Sequence, residues 1–570
     1  MSYWTKLLGL TLGLLTLAPL SAQSKGTAEK KRDNKFNYVQ AVDVFGSSLA
    51  LLDRYFVDSI DIKRLSRIGL DNMLESLDPY TEYYSAEDSD KLKLLTTGAY
   101  GGIGSVISQR PDSTVIINDP MEGMPAALAG LRAGDVILEV DGQDFRKSTS
   151  DRVSAALKGA PGSKITLLVQ RPGETKPRKI EFRRQKIQVS PVSYYGALPS
   201  GYGYIALTSF PNTATSEVKK AFLELKEKHH IKGLILDLRD NGGGLIDEAI
   251  KIVNFFVPAG EEVVTTRGRN ARLQETIYKT TDKPLDTEIP LAVLINAQSA
   301  SSSEIVSGAL QDLDRAVVMG VKSYGKGLVQ TTMQLPYDGT IKLTTAKYYI
   351  PSGRCIQRID YHSLREGKGA TILPDSLTKV FHTRAGREVR DAGGILPDIT
   401  LPVDTLPTMV YYLRASNDAF DWITDYVRQH RTIPAPKDFK LSDADYADFS
   451  QRMIDKKFDY DRQSSKELKK LEELARFEGY YSKSKEAFET LQKLFVPDLK
   501  HDLQYHRPYI EQYLTSAILT RYYYNGGALE RSVSEDKMVK AAEALLGDTA
   551  RYRKALSAPA VQPISTASAK

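Results

Sequence analysis

Apolar residues recur along the chain with two different periods, and the change between the periods divides the sequence into regions. From residue 36 to residue 97 they recur about three positions apart, as at Val39, Val42 and Phe45, which predicts a helical N-terminal domain. From 98 to 188, short β-rich runs alternate with glycine-rich turns. This second pattern predicts a small, separate module.

The region 189–402 alternates short apolar runs with amphipathic helices, which is typical of an α/β layer. Its clearest predicted strands are Leu234–Leu238, Leu291–Ile295 and Val317–Gly320, continuous apolar runs of the kind that a strand buried on both faces needs. From 405 to 556 the pattern becomes helical, charged and rich in tyrosine. The sequence therefore predicts an α/β core between helical N- and C-terminal regions.

Both ends of the sequence differ in composition from the regions between them. A lysine, an apolar run from Leu7 to Leu17, and small residues just before position 23 form the three parts of a secretory signal peptide over residues 1–22. The run is shorter than the ~20 residues of a membrane span, and an uncleaved anchor is the alternative interpretation. Residues 557–570 are small, polar and proline-containing, which predicts a disordered tail. We expect an exported protein of the periplasm or cell envelope, membrane-associated if the anchor is retained.

Composition excludes several classes of protein. The chain has 570 residues, enough for about four domains, and its 41% of hydrophobic and 26% of charged residues exclude low-complexity disorder and a polytopic membrane protein. A net charge of +6 without a dense basic block gives little reason to expect nucleic acid. The single cysteine, Cys355, leaves no CxxC pair, and HxxxH is absent. We expect no metal and no cofactor.

A run of small residues at 296–304 follows the predicted strand Leu291–Ile295 and leads into a predicted helix. The residue after a serine at a helix N-terminus has a backbone N–H without an intrahelical acceptor, and that N–H can stabilise an oxyanion. Serine is also a favoured helix N-cap. On these residues alone the nucleophile and N-cap interpretations both remain open for Ser299, Ser301, Ser302 and Ser303.

Lys326 lies between two glycines, ahead of another apolar run that predicts a strand. An ordinary lysine has a pKa near 10.4 and is a poor base at neutral pH, but burial lowers that pKa and yields a neutral amine able to accept a serine proton. A serine and a lysine can therefore form a dyad without histidine. Gln330, four residues further on, is a candidate to orient the lysine.

A third element combines a predicted buried strand, the turn at 240–244 and an amphipathic helix. The turn contains three consecutive glycines, which expose backbone N–H groups toward an anion. A phosphate loop is the rival interpretation, but no Gly-Lys-Ser/Thr follows the turn. The turn is better suited to supply part of an oxyanion hole.

The module at 98–188 carries two motifs in order. Gly101, Gly102, Ile103 and Gly104 precede a predicted strand, and the run GLRAGDVILEVDGQ follows at 130–143. Together the motifs resemble a PDZ domain. The resemblance implies that a substrate's C-terminus adds as an edge strand, with its carboxylate at 101–104 and its last side chain in an apolar pocket. A module used only for packing is the alternative.

Four stretches together resemble the C-terminal processing, or tail-specific, serine peptidases. In chain order they are SLDPYTEYYS at 76–85, the PDZ-like module, DLRDNGGGL at 237–245, and NAQSASSSEI at 296–305 followed by GKGLVQ at 325–330. The resemblance implies a Clp-protease/crotonase-like α/β peptidase core over 189–402, with the PDZ domain inserted after the helical N-terminal domain.

The same resemblance assigns roles to individual residues. It implies that Ser301 is the nucleophile, that Lys326 is the general base and that Gln330 positions the lysine. The oxyanion hole would combine the N–H of Ser302 with that of Gly243 or Gly244.

We therefore expect an exported serine endopeptidase that recognises protein C-termini, preferably apolar ones, and cleaves the chain with a Ser-Lys dyad. The alternative is a noncatalytic PDZ scaffold of the cell envelope. The helical region 405–556 carries no motif that we can assign. Capping of the core, self-association and binding of an adaptor remain open for it.

Overall fold

A computed structural model of the chain describes residues 34–88, 92, 94, 96–269, 275–402 and 405–557. The predicted signal peptide at 1–22 and residues 558–570 of the predicted tail lie outside the described residues. The chain divides after Asn72 into two compact units. No helix in the described part of the chain is long and apolar enough to cross a membrane.

The first unit contains helix α1 (Asn34–Tyr55) and most of helix α2 (Ile62–Glu75). The helical spacing predicted from residue 36 onward thus corresponds to two helices. Most apolar side chains of α1 are exposed, among them Tyr38, Val42, Phe45 and Leu51. Helix α1 therefore contributes few buried side chains to this unit.

The second unit begins with a short strand, β1 (Glu82–Tyr84), and continues into the β-rich module. The elements of this module are β2 (Ala99–Gly102), β3 (Ser105–Gln109), β4 (Val115–Pro120), α3 (Pro125–Leu128), β5 (Val136–Val140), β6 (Gln143–Asp144), α4 (Ser150–Leu157), β7 (Lys164–Gln170), β8 (Arg178–Arg183) and β9 (Gln185–Gln188). Its sheet has the order β3-β4-β5-β7-β8, and β2 pairs separately with β9. Strand β3 is therefore an edge strand, and α4 lies next to it.

The α/β core follows, with the elements β10 (Val192–Ala197), β11 (Gly203–Leu207), α5 (Ala214–His229), β12 (Leu234–Asp237), α6 (Ile246–Asn254), β15 (Leu291–Ile295), α7 (Ser302–Asp312), β16 (Val317–Gly320) and β23 (Ile399–Thr400). The six strands form one sheet of order β10-β11-β12-β15-β16-β23. All neighbours are parallel except β10 and β11. An α-helix lies in the connection that follows each of the parallel strands β11, β12 and β15, as is usual for such crossovers.

The central strands are buried on both faces, which explains their continuous apolar sequences. On one face the core includes Phe222 of α5, Ile252 of α6 and Ile305 of α7. On the other face Ile235, Leu294 and Val317 pack against helices from the C-terminal region. The sheet is therefore covered by helices on both sides.

A second sheet stands beside the first and contains β1, β13 (Glu262–Gly268), β14 (Glu275–Lys279), β17 (Leu328–Gln334) and β18 (Thr340–Tyr349). Strand β1 pairs with β18, which brings the residues around 78–84 to this sheet. The remaining strands form two small ribbons: β19 (Ile359–Asp360) with β20 (Thr371–Ile372), and β21 (Val380–His382) with β22 (Glu388–Arg390). Single 3-10 turns lie at Ala86–Asp88, Ser363–Glu366 and Asp375–Leu377.

The C-terminal region is helical, as predicted. Its helices are α8 (Thr408–Ala415), α9 (Asn417–Gln429), α10 (Asp443–Asp455), α11 (Gln463–Phe477), α12 (Tyr481–Leu494), α13 (Leu499–Tyr505), α14 (Arg507–Glu535), α15 (Lys537–Gly547) and α16 (Thr549–Ser557). Five of them, α8, α9, α10, α13 and α14, share one apolar core with members such as Trp422, Phe449 and Leu514. Helix α14 is interrupted at Tyr524, where φ is 54°.

The last two helices pack on the six-stranded sheet rather than in that bundle. Leu545 of α15 and Tyr552 of α16 pack on the sheet face that contains Leu294. The Tyr552 hydroxyl lies 3.1 Å from the carbonyl oxygen of Leu291 and 2.9 Å from its backbone nitrogen. One of the roles left open for the region, capping of the core, is thus a structural feature of α15 and α16.

Because α15 packs its apolar face on the six-stranded sheet, we expect Leu545→Ala to lower the free energy of unfolding by about 2–5 kcal/mol. Leu545 is 0% exposed, so its truncation leaves a cavity against the sheet. The matched control is Leu494→Ala, at a helical leucine that is 72% exposed, with an expected change within about 0.5 kcal/mol. Urea unfolding followed by circular dichroism measures both. Equal effects would contradict the assignment of α15 to the core.

Candidate active site

Four serines lie in the loop after β15 and the start of α7, and the structure separates one of them from the rest. Ser299, Ser302 and Ser303 are fully buried. Their hydroxyls donate to the carbonyls of Leu238 (2.7 Å), Gly244 (2.9 Å) and Asn241 (2.8 Å), respectively. These three hydrogen bonds hold the serine loop against residues 238–244, which include the glycine turn. Ser301 is partly exposed.

The backbone of Ser301 differs from that of an ordinary capping serine. Its φ is 57° and its ψ is −116°, whereas an N-cap residue is normally extended. Positive φ is uncommon for a residue with a side chain, and it persists only where the surroundings impose it. The chain therefore turns sharply at Ser301, at the N-terminus of α7.

The surroundings that impose this turn centre on the carboxylate of Glu304, which is 0% exposed. It accepts hydrogen bonds from the backbone N–H of Ser301 (2.9 Å), the hydroxyl of Ser323 (2.5 Å), and the N–H groups of Gly325 (2.7 Å) and Lys326 (2.9 Å). Burial raises the pKa of Glu304 to about 7, although these hydrogen bonds favour the ionised form. One carboxylate thus fixes the serine loop and the lysine turn to each other.

Two further contacts join the same segments. The Tyr348 hydroxyl lies 2.6 Å from the carbonyl oxygen of Lys326 and 3.2 Å from that of Ser301. The N–H of Tyr324 donates to the carbonyl of Ser299 at 3.0 Å. The backbones that carry Ser301 and Lys326 are consequently held side by side.

The side chain of Lys326 is partly buried. The pKa of its amine is lowered to about 8, chiefly by burial and in addition by the nearby charge of Lys342, while Glu304, Asp78 and Glu82 act in the opposite direction. The Ser301 and Lys326 side chains make no direct hydrogen bond in the part of the chain that the structure describes. Catalytic hydrogen bonds are often long in ligand-free structures and shorten when substrate binds.

Gln330 lies on β17. Its amide donates to the hydroxyl of Thr344 at 3.1 Å, and that hydroxyl lies 3.2 Å from the Asp78 carboxylate. Within the described residues no hydrogen bond joins Gln330 to Lys326. The expected contact is thus replaced by a chain that leads from Gln330 through Thr344 to Asp78.

The glycine turn faces the serine loop, but its N–H groups are not equivalent. The N–H of Gly243 donates to the side-chain oxygen of Asn241 at 2.9 Å. It is therefore not free to bind an oxyanion. The N–H groups of Ser302 and Gly244 have no acceptor among the described residues. Of the two glycines named from the sequence, Gly244 retains the available donor.

Gly243 matters to the site because it has no side chain. Its φ is 98°, and a Cβ there would lie 2.7 Å from the Cβ of Ser301 and 2.9 Å from the nitrogen of Ser302. No side chain fits at that point. The glycine keeps the space in front of the Ser302 N–H open.

The candidate carboxylate loop at 101–104 belongs to the β-rich module. Gly101 and Gly102 lie in β2, paired with Lys186 and Gln185 of β9. A Cβ on Gly101 would lie 2.2 Å from a carbonyl oxygen, so this strand requires glycine. The Ile103 side chain is buried in the core of the module, and its carbonyl accepts from Ala126 at 2.9 Å. The N–H groups of Ile103 and Gly104 meet no acceptor within the described ranges.

Among the described residues, no group of three or more His, Cys, Asp or Glu side chains is placed to hold a metal ion. Burial raises the pKa of the Cys355 thiol, which leaves little reactive thiolate near neutral pH.

Three residues organise the site although no role was predicted for them from the sequence. Glu304 is marked by the spacing S-x-x-E from Ser301, which is the signature of a capping box. Tyr80 lies within SLDPYTEYYS, the first of the four stretches, where no role was assigned to it. Tyr348 has no local signal, because its contacts depend on how β18 folds back onto the core.

Three parts of the chain match known families. Residues 201–363 match the family described as "Peptidase family S41", and residues 116–171 match the family described as "PDZ domain". Residues 409–546 match "Probable PDZ-protease, C-terminal helical domain".

Individual proteins are also similar to the chain. The "Carboxy-terminal-processing protease" of Bartonella bacilliformis is 37% identical over 332 residues, which cover 57% of this chain and 75% of that protein. A "Probable CtpA-like serine protease" of Staphylococcus aureus strain N315 is 35% identical over 327 residues, 57% of this chain and 62% of that protein. The solved photosystem II D1 C-terminal processing protease is 26% identical, with 66% of this chain and 97% of that chain covered and a TM-score of 0.35.

Because Gly243 leaves the Ser302 N–H accessible, we expect Gly243→Ala to lower kcat for peptide-bond cleavage by about 100- to 1,000-fold, the effect of losing one oxyanion donor. Gly242→Ala is the matched control in the same turn, since a Cβ there would meet nothing within 4 Å. The assay is cleavage of an unstructured protein under saturating conditions, with circular dichroism to verify folding. Loss of activity in both variants alike would contradict this role of Gly243.

Proposed function

The chain belongs to peptidase family S41 as a PDZ-containing C-terminal processing serine peptidase, and on that premise we propose that it cleaves proteins with a Ser301–Lys326 dyad. Its family and fold class agree with those predicted from the sequence. The observation that carries the proposal is the selection among the serines. The other three serines at 299–303 are fully buried, and each donates its hydroxyl to a backbone carbonyl, whereas Ser301 is partly exposed and makes no such bond. The Glu304 carboxylate accepts from the N–H groups of both Ser301 and Lys326.

In the proposed reaction, Lys326 Nζ accepts the proton of Ser301 Oγ as that oxygen attacks the scissile carbonyl carbon. The negative charge that develops on the carbonyl oxygen is stabilised by the N–H groups of Ser302 and Gly244. The lysine ammonium then gives its proton to the leaving amine, which leaves an ester on Ser301. Lys326 then removes a proton from a water molecule as the water oxygen attacks the ester carbon. The lysine returns that proton to Ser301 Oγ as the C–O bond of the ester breaks, which releases the carboxylic acid product and restores the free enzyme.

The proposed substrates are proteins with a free, apolar C-terminus. Strand β3 is the edge of the PDZ sheet and offers unpaired backbone groups to an added strand. The N–H groups of Ile103 and Gly104 are suited to the terminal carboxylate at one end of that edge. The predicted signal peptide at 1–22 supports substrates in the cell envelope, and this part of the proposal rests on sequence alone.

We expect Ser301→Ala and Lys326→Ala each to abolish cleavage of an unstructured protein with an apolar tail, because each removes one partner of the proton transfer. Binding of the tail peptide to the PDZ domain should survive both changes. Gel-based cleavage and fluorescence anisotropy measure the two properties. Cys355→Ala is the control for the other possible nucleophile and should cleave at the parent rate. Retained cleavage by Ser301→Ala would overturn the assignment.

The lowered pKa of Lys326 predicts the pH profile. The amine must be neutral to act as a base, so kcat/KM should rise with pH and reach half its maximum at about pH 8. Below about pH 7, Glu304 also takes up a proton and loses acceptor capacity, so the fall should steepen. Peptide binding to the PDZ domain, measured over the same range, is the control. A kcat/KM that stays flat down to pH 5 would exclude a lysine base.

A further inference from the structure

Three tyrosine side chains from distant parts of the sequence meet beside Lys326. The Tyr80 hydroxyl donates to that of Tyr324 at 3.3 Å and accepts from that of Tyr361 at 3.3 Å. The rings of Tyr80 and Tyr361 pack edge to face, with centroids 6.0 Å apart. Tyr80 is thus held through its hydroxyl and through its ring.

The ring of Tyr80 lies against the lysine amine. Lys326 Nζ is 4.3 Å from the ring centroid, within the range of a cation–π contact. In the described structure this amine forms no hydrogen bond and no ion pair. The Tyr80 ring is therefore a contact that limits where the end of the flexible lysine side chain lies.

We infer that Tyr80 is the positioning residue of the general base, an inference that rests on the proposed Ser301–Lys326 mechanism. A lysine side chain has four rotatable bonds, and an amine without hydrogen-bond partners would otherwise sample several positions. The ring limits these positions and covers the amine from water, which favours the neutral base. When the amine accepts the serine proton, the face of the ring attracts the ammonium that forms.

The backbone around Tyr80 is also held in place, by hydrogen bonds to the side chain of Asp78. Asp78 is 4% exposed, and its carboxylate accepts from the N–H groups of Tyr80 and Thr81, both at 2.9 Å. The Thr81 hydroxyl binds the other carboxylate oxygen at 3.1 Å. An aspartate that accepts from the N–H two residues on forms a tight turn. The segment Asp-Pro-Tyr-Thr thereby presents Tyr80 to the lysine in one orientation.

Charged groups from several elements also act on Lys326. They are Lys342 of β18, Glu304 of α7, Asp78 of the turn and Glu82 of β1. Lys342 and Glu82 pair with each other at 2.8 Å. None of these residues changes when Tyr80 is substituted, so a shift in the lysine pKa in a Tyr80 variant reports the loss of the ring.

The test compares Tyr80→Phe, Tyr80→Leu and Tyr80→Ala in the full chain, with kcat/KM for an unstructured apolar-tailed protein measured from pH 6 to pH 10. Tyr80→Phe keeps the ring and should stay within about threefold of the parent, with an unchanged midpoint. Tyr80→Ala admits water, so its midpoint should rise toward the ordinary lysine value of about 10.4. The activity of Tyr80→Ala at pH 7 should fall at least about tenfold and recover in part at pH 9–10.

Tyr80→Leu separates the two effects of the ring and serves also if Tyr80→Ala does not fold. Leucine keeps an apolar cover but has no π face to attract the ammonium. Its midpoint should therefore fall, by up to about one pH unit, while kcat decreases. A residue that only supports the fold would lower activity equally at every pH. Unchanged midpoints in both Tyr80→Ala and Tyr80→Leu would overturn the inference.

Failure of the proposed function gives a different result. If Lys326→Ala cleaves at the parent rate, Lys326 is not the base, and both the dyad and the role of Tyr80 are overturned. If Lys326→Ala is inactive but the Tyr80 variants keep the parent midpoint, the dyad stands and the role of Tyr80 alone is overturned. Thermal unfolding of each variant verifies that the folded state is being compared.

Discussion

The geometry of this peptidase depends on one buried carboxylate, that of Glu304, and on the four donors that surround it. A carboxylate without partners is costly to bury, so the fold that buries Glu304 must bring all four donors to it. Two of those donors are the N–H groups of Ser301 and Lys326. The requirement to satisfy one buried carboxyl group therefore fixes the segments of Ser301 and Lys326 relative to each other, although no hydrogen bond joins the two side chains among the described residues.

The central sheet brings these segments within reach of one carboxylate. Strands β12, β15 and β16 are parallel neighbours, so the loops at their carboxyl ends emerge at the same edge. Those loops carry the glycine turn, Ser301 and Lys326. Helix α15 supports the edge from the far face, since Asp536 at its N-terminus pairs with Arg239 at 2.9 Å, and Arg239 also pairs with Asp237 beside the glycine turn. Helix α15 of the C-terminal region thus stabilises the sheet edge that carries the site.

Sequence reasoning identified whatever was encoded locally and missed what depends on contacts between distant segments. Continuous apolar runs predicted the buried strands, and a lysine between two glycines predicted a base on a tight turn. The residues alone did not single out Ser301, because the difference between the serines lies in hydrogen bonds to carbonyls from another loop. For the same reason they left the choice between Gly243 and Gly244 open. The contact between Thr344 and Asp78, which are 266 positions apart, redirects Gln330 and has no local signature.

Two features of the site, considered by themselves, would lower the stability of the folded state. Ser301 has positive φ, a conformation that costs about 1–3 kcal/mol for a residue with a side chain, and Lys326 has a partly buried amine whose pKa burial lowers. Both suit the proposed Ser-Lys dyad, because the sharp turn would present the hydroxyl and an amine with a lowered pKa is a better base at neutral pH. Such residues persist only where their surroundings leave no alternative. Here Glu304 and Tyr348 hold the backbone of both residues, and the Tyr80 ring lies against the lysine amine. These contacts offset the cost of the two unfavourable features, and sequence periodicity does not reveal them. Ser301 and Lys326, the residues with these unfavourable local features, were identified from the sequence through the resemblance of their motifs to a known family. The residues that hold them in place, Glu304, Tyr348 and Tyr80, could be recognised only from the contacts in the fold.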